Sequence, residues 1–257
     1  MSAIEQFLVT GVFAFMLTFV RMGTAIMIMP GLGDSFVPER IRLHIAIGIS
    51  FVLFPLVIPH LPSPLPGTFA LFMLIVMEFI IGLFFGTIAR IFMTALDTAG
   101  MVISTSSGLG NAQLFNPSLA QQGSLIGAFL SVTGMLVLFV TDMHHLLIAG
   151  IVESYEMFPV GFIPDSGSMA EMMSRAVSAA FSVGIKIGAP FIVLTLLVYV
   201  AMGVLSRVMP QVQVFLLAVP LQILLSLLLM MMVLSSIYLF WLTEFEEAMV
   251  FFLKSAG

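Results

Sequence analysis

Apolar residues fill this chain in long runs, and polar residues gather in the gaps between them. Six runs stand out, over about residues 7–29, 41–60, 69–96, 125–148, 176–206 and 212–242. None alternates like a barrel strand, and each approaches the roughly 20 apolar residues that a helix needs to cross the hydrocarbon core of a bilayer. Backbone polar groups cannot stay unpaired in lipid, so runs of this length are helices. The pattern predicts an all-α fold of about six long apolar helices, with hairpins among them.

The gaps carry their own signals. PGLGDSFVPER, residues 30–40, mixes proline and glycine with charge and separates the first helix from the second. PHLPSPLPG, residues 59–67, has four prolines in nine residues and is expected to be extended. ESYEMFPVGFIPDSGSMAE, residues 153–171, holds four of the thirteen acids, and its end, Ser168-Met169-Ala170-Glu171, fits a capping box opening the fifth helix. SRVMPQVQV, residues 206–214, predicts a short turn at Pro210 that makes a hairpin of the last two helices. Arg40 and Arg42 follow the first helix, and Arg207 lies opposite the acidic 153–171 segment, which places the 206–214 turn on the cytoplasmic side.

Composition supports a membrane setting. Of 257 residues, 61% are hydrophobic and 8% charged, with a mean hydropathy of +1.22. A soluble domain carries about 25% charged residues to face water, and eight basic plus thirteen acidic side chains cannot coat a soluble body of this size. A net charge of −5 without a basic patch argues against nucleic acid as a partner. There is no cysteine, which excludes disulfides and thiolate metal sites. Glu5 and the lack of a basic region before the first apolar run make the N-terminus read as a retained helix.

Ionisable groups within apolar runs are costly and are candidates for function. Arg21, Glu78, Arg90, Asp97, Lys186 and Arg207 lie within or near such runs. Two readings stay open for them: a proton or ion relay, or charges paired within the chain or with a neighbouring subunit. No local carboxylate dyad favours the relay. Asp142, His144 and His145, with Glu153 and Glu156 downstream, raise a metal site, but adjacent histidines point to different faces of a helix, and no metal is assigned. Gly82 and Gly86 form a GxxxG pair suited to close helix packing. The 21 methionines and 25 phenylalanines are packing residues, the thioethers being adaptable enough to form a deformable seal. With no catalytic triad, P-loop or nucleotide fingerprint, neither an enzyme nor a cofactor is expected.

One stretch stands apart. STSSGLGNAQLFNPSLAQQGS, residues 104–124, holds six serines and threonines, three glycines, three glutamines, two asparagines and no charge, with Leu114 and Phe115 at its centre. Residues alone leave it either a surface loop or a segment that touches what the protein lets through.

The order of landmarks resembles the FliR family of flagellar and type III secretion export-gate membrane proteins. They are Phe19-Val20-Arg21-Met22; Pro30, Gly33, Pro38 and Arg42; Glu78, Gly82 and Gly86; Ala99-Gly100; Phe115-Asn116-Pro117; and Met209-Pro210-Gln211-Val212-Gln213-Val214-Phe215 leading to Val219-Pro220-Leu221. The resemblance covers essentially the whole chain, and the hairpin turn carrying Met209, Pro210, Gln211, Gln213 and Pro220 is its most specific piece. Val212-Gln213 stands where the family usually has Met-Asn, and neutral Gln222 where it commonly has lysine.

The resemblance implies a FliP-like portion, residues 1–171, followed by a FliQ-like helical hairpin, residues 172–257. It implies assembly with FliP-like and FliQ-like subunits, and an FlhB-like subunit, at the mouth of an export channel. That channel would lie in the bacterial inner membrane within the flagellar basal body, and much of the assembly would stand above the bilayer. Residues 104–124 would be a plug-like loop, with Gly108 and Gly110 as hinges and Leu114, Phe115, Asn116 and Pro117 in the lumen. Glu78 and Lys186 would be buried partners fixing helix or subunit register, with Arg21, Arg90 and Arg207 as further buried or subunit contacts. The expected function is non-enzymatic gating of unfolded flagellar proteins. The alternative is a self-contained, ion-coupled secondary transporter, for which the two halves show no matching repeat.

Overall fold

The computed structural model describes residues 3–61, 67–110, 124–209 and 214–254. Among them are seven α-helices and no strand: α1 (Ala3–Ile28), α2 (Glu39–Val57), α3 (Thr68–Ser106), α4 (Leu125–Val140), α5 (Met143–Met157), α6 (Ser166–Val208) and α7 (Val214–Lys254). Five are long and apolar enough to cross a membrane, or six if the broken pair α4 and α5 counts as one span. At 39, 43 and 41 residues, α3, α6 and α7 have about twice the length that crossing requires.

Several boundaries differ from the sequence pattern. The apolar run 125–148 is broken at Thr141–Asp142, where Asp142 takes a left-handed backbone (φ 59°), a conformation that Asp tolerates better than most residues. Helix α3 continues ten residues past its apolar run, and there Thr98 and Thr105 satisfy their hydroxyls on the carbonyls of Thr94 and Met101, four residues back. Pro59 and His60 belong to a short 3-10 turn, Ile58–His60, and are not extended. Helix α6 starts at Ser166, ahead of the expected capping box. Its cap is Asp165, whose carboxylate accepts from the Ser168 amide at 2.9 Å and the Ser168 hydroxyl at 2.7 Å. These bonds hold the Asp165 carboxyl below its ordinary pKa, the Ser168 hydroxyl contributing most.

Two compact units emerge. One comprises residues 1–91, 141–176 and 246–257, and the other residues 92–140 and 177–245. In the first, Leu17, Met22, Ala25 and Ile26 of α1 are buried, as are Ile81 and Ile88 of α3. The two helices run parallel. A Cβ added at Gly82 would lie 2.4 Å from the Arg21 carbonyl oxygen, and one at Gly86 would lie 2.9 Å from that of Ala25. Only glycine permits this approach.

In the second unit, α6 buries Ala180, Val183, Gly184, Ile187, Gly188 and Phe191, a stripe of helical period. A Cβ at Gly184 would meet Thr98 Cβ at 2.8 Å, and one at Gly188 would meet Val102 Cγ1 at 2.5 Å. Trp241 of α7 is 1% exposed and donates its indole N–H to the Phe92 carbonyl at 3.1 Å. Many large apolar side chains stay outside these cores, Met231 and Met232 among them, as expected of faces that meet lipid or partner subunits.

Candidate functional site

The most tightly built polar feature lies in the first unit. Arg21 is fully buried, and its guanidinium meets Glu78 in a bidentate pair, Nε to Oε2 at 2.6 Å and Nη2 to Oε1 at 2.9 Å. Nη1 donates to Ser154 Oγ at 3.0 Å, and Nη2 donates to the Phe158 carbonyl at 2.9 Å. The guanidinium carbon also lies 3.7 Å from the centre of the Tyr155 ring. Four hydrogen bonds use four of the five N–H groups of the fork, leaving the buried cation almost fully satisfied.

Local sequence explains the geometry. Gly82, one turn beyond Glu78, lets α3 touch the α1 backbone at Arg21, which brings the carboxylate into range. The last turn of α5 supplies Ser154 and Tyr155, and the Phe158 amide closes that turn by donating to the Ser154 carbonyl at 2.8 Å. The arrangement fastens three helices through one charge pair. It offers no unpaired carboxylate to accept a travelling proton.

The other charges, expected to be buried or to meet a partner subunit, are exposed or half exposed in this chain by itself. Lys186 is exposed and sits 3.6 Å from Glu244, so Glu78 and Lys186 are not alike in burial, and Glu78 takes Arg21 as its partner. Arg90 is half exposed, donating to Asp34 at 3.2 Å and to the Ile28 carbonyl at 3.2 Å. Arg207 is exposed at the end of α6. Asp97 accepts a short hydrogen bond from Ser131 Oγ. These groups form scattered contacts, without a relay joining them among the described residues.

At the start of the polar 104–124 stretch, α3 ends in a turn. Gly108 has φ 79°, a left-handed backbone suited to glycine, and the Gly110 amide donates to the Ser104 carbonyl at 3.0 Å. The Ser106 carbonyl accepts from Thr195 Oγ1 of α6 at 2.5 Å and from the Gln222 side-chain amide of α7. At the other end, Ser124 Oγ donates to the Gly100 carbonyl at 2.9 Å and accepts from the Gly127 amide at 3.1 Å. A Cβ at Gly100 would fall 2.1 Å from Gly127 Cα, so α3 and α4 meet backbone to backbone beside this tie. The stretch is therefore tied at its start to α6 and α7 through Ser106, and at its end to α3 through Ser124. Leu114, Phe115, Asn116 and Pro117 lie outside the described residues, as do Pro210, Gln211 and Gln213 of the expected hairpin turn. Met209 and Pro220, which flank that turn, are exposed.

The histidine pair departs from the expected divergence. The rings of His144 and His145 are 4.1 Å apart, and His145 Nδ1 lies 3.6 Å from Asp142 Oδ1. One ligand atom from each of the three residues falls within 4.8 Å of the others. Asp142 precedes α5 and both histidines lie in its first turn, which gathers the three residues at that helix end. Asp142 and His145 are largely exposed, leaving the group open to solvent.

Sequence reading missed Ser154, Tyr155 and Thr195, and noted Gln222 only as a neutral residue where the family commonly has lysine. Gln222 had a visible signal, a lone amide in an apolar helix just after Pro220. Gly184 and Gly188 repeat the spacing already noticed at Gly82 and Gly86.

A family model described as bacterial export proteins, family 1, matches residues 12–248. The chain belongs to that family. Members of the export family similar to it include the flagellar biosynthetic protein FliR of Caulobacter vibrioides, 38% identical over 92% of this chain and 94% of the relative. FliR of Aquifex aeolicus is 28% identical over 95% of this chain and 92% of its own length. The Yop proteins translocation protein T of Yersinia pestis is 30% identical over 60% of each chain.

Proposed function

We propose that this export-family chain is a non-enzymatic subunit of a type III protein export gate in flagellar assembly. On this reading it helps form and close the channel through which unfolded flagellar proteins cross the bacterial inner membrane. The observation that carries the reading is similarity to flagellar biosynthetic FliR proteins along nearly the full chain. Partners are FliP-like and FliQ-like subunits and an FlhB-like subunit, within the flagellar basal body. Residues 1–171 form the FliP-like portion, and residues 172–257, chiefly α6 and α7, form the FliQ-like hairpin.

The mechanism follows from where charge is and is not placed. Arg21 and Glu78 consume each other, so the chain holds α1, α3 and α5 in register and leaves energy transduction to other components. Residues 104–124 act as a plug: uncharged, tied at its start to α6 and α7 and at its end to α3, and carrying Leu114 and Phe115 to fill the lumen. A segment without charge rearranges without breaking salt bridges and gives an unfolded substrate nothing strong to adhere to.

Tagging the chain and recovering its complex tests the reading, with FliP-like and FliQ-like proteins expected to co-purify. A stable monomer that transports an ion-coupled solute by itself would refute it. Deleting residues 108–118 is expected to make the assembled gate leak small ions while assembly survives. An unchanged permeability would remove the plug assignment.

A further inference from the structure

An apolar groove runs along the first unit, and the function proposed above makes no use of it. Its volume is about 540 Å³, inside the roughly 300–1,000 Å³ of pockets that hold small ligands. Phe19, Gly23 and Ile28 of α1, Ala46 of α2, and Phe79 and Leu83 of α3 line it, and Phe79 and Leu83 are exposed. The hydroxyl in its wall, that of Thr24, is already spent on the Val20 carbonyl at 2.7 Å. The occupant is therefore a hydrocarbon.

The groove ends on charge. Ile28 is both wall and acceptor, its carbonyl taking a hydrogen bond from Arg90 Nη1 at 3.2 Å. Arg90 follows Leu83 by seven residues, two helical turns along the same face of α3. Its side chain is 48% exposed, and Asp34 covers its other nitrogen at 3.2 Å. Arg42, on the neighbouring loop side, donates to the Val37 and Gly33 carbonyls at 3.0 and 3.2 Å, and Arg40 is exposed. Arg90 is thus the guanidinium placed at this end, paired on one side with Asp34 and half exposed on the other.

We propose that this groove is a binding site for an anionic phospholipid, one acyl chain lying between α1 and α3 and the phosphate facing Arg90. A partner helix would fill the apolar surface equally well, and the crosslinking arm of the test below separates it from lipid. A phospholipid matches both features, and basic pockets between membrane helices hold anionic head groups for this reason.

The test uses the full chain in its purified complex, stripped of lipid and titrated with phosphatidylglycerol or phosphatidylcholine while native mass spectrometry counts bound lipid. One phosphatidylglycerol is expected to be held in preference to phosphatidylcholine. Arg90→Gln is expected to weaken it about fivefold, the effect of one cation at a membrane surface. Arg90→Lys is expected to retain the preference, and Asp34→Asn to strengthen it. Because the chain has no cysteine, Phe79→Cys gives a single labelling position, and a spin label there is expected to be broadened by spin-labelled lipid. Equal retention of both lipids, or no change in Arg90→Gln, would overturn the proposal. So would quantitative crosslinking of Phe79→Cys to a partner helix, which would assign the groove to protein.

Discussion

Replacing Glu78 by glutamine keeps the size of the side chain and removes its charge. Arg21 would then be a buried cation without its anion, left with one amide oxygen, Ser154 Oγ, the Phe158 carbonyl and the Tyr155 ring as partners. The new amide sets its NH2 against the second N–H of the fork, where donor meets donor. Removing one member of a buried ion pair costs about 3–5 kcal/mol, a large share of the roughly 5–15 kcal/mol that holds a typical domain folded. Glu78→Gln is therefore expected to lower the unfolding midpoint of the purified chain in mixed micelles sharply and to reduce its recovery in the assembled complex. The double replacement Arg21→Met with Glu78→Leu removes both charges and fills the volume with hydrocarbon. It is expected to recover most of the loss, because swapping a whole buried pair for apolar groups is often neutral. The coupling read from the parent, Arg21→Met, Glu78→Leu and the double replacement should reach about 2–3 kcal/mol. Additive losses, or a Glu78→Gln chain as stable as its parent, would refute the clamp. Undiminished stability combined with lost ion coupling would instead return Glu78 to a relay.

Other residues give sharper contrasts. Gly82→Ala places a methyl 2.4 Å from the Arg21 carbonyl oxygen, and about 1–3 kcal/mol of destabilisation is expected. Gly48→Ala, with open space around it in α2, is expected to be neutral or to stabilise by up to about 1 kcal/mol; thermal unfolding of the pair separates packing from helix propensity. Gln222→Leu deprives the Ser106 carbonyl of a buried donor, with an expected loss of about 1–3 kcal/mol and faster proteolysis near residue 107. Asp165 tests pH. Its pKa is lowered on folding, so its contribution is complete above the ordinary value of 3.8 and disappears as pH falls through the folded value. Hydrogen exchange at the Gly167 and Ser168 amides is expected to lose protection below about pH 4, whereas Asp165→Asn should flatten that dependence.

Helix existence was legible because long apolar runs leave no alternative in lipid. Helix ends were not. The extension of α3 to Ser106 is packed against α4, α6 and α7 by tertiary contacts at Gly100, Val102 and Ser106, so residues that read as a polar loop continue the helix. The break at Asp142 has no proline or glycine to announce it. Arg21 and Glu78 were both visible as costly charges, but 57 positions separate them, and their pairing depends on the backbone approach at Gly82. Lys186 looked equally costly, yet it lies on an outward face midway along α6, 3.6 Å from Glu244 of α7, a pairing across 58 positions that its spacing does not announce.

The fastening at Ser106 consists of a carbonyl, a hydroxyl and an amide, with no ionised group. Charged contacts weaken in salt and titrate with pH, whereas neutral hydrogen bonds do neither. The hold on the base of the polar segment is thus deaf to proton gradients and ionic strength. What loosens it must act by shape, through an object that moves α6 or α7 away from the end of α3.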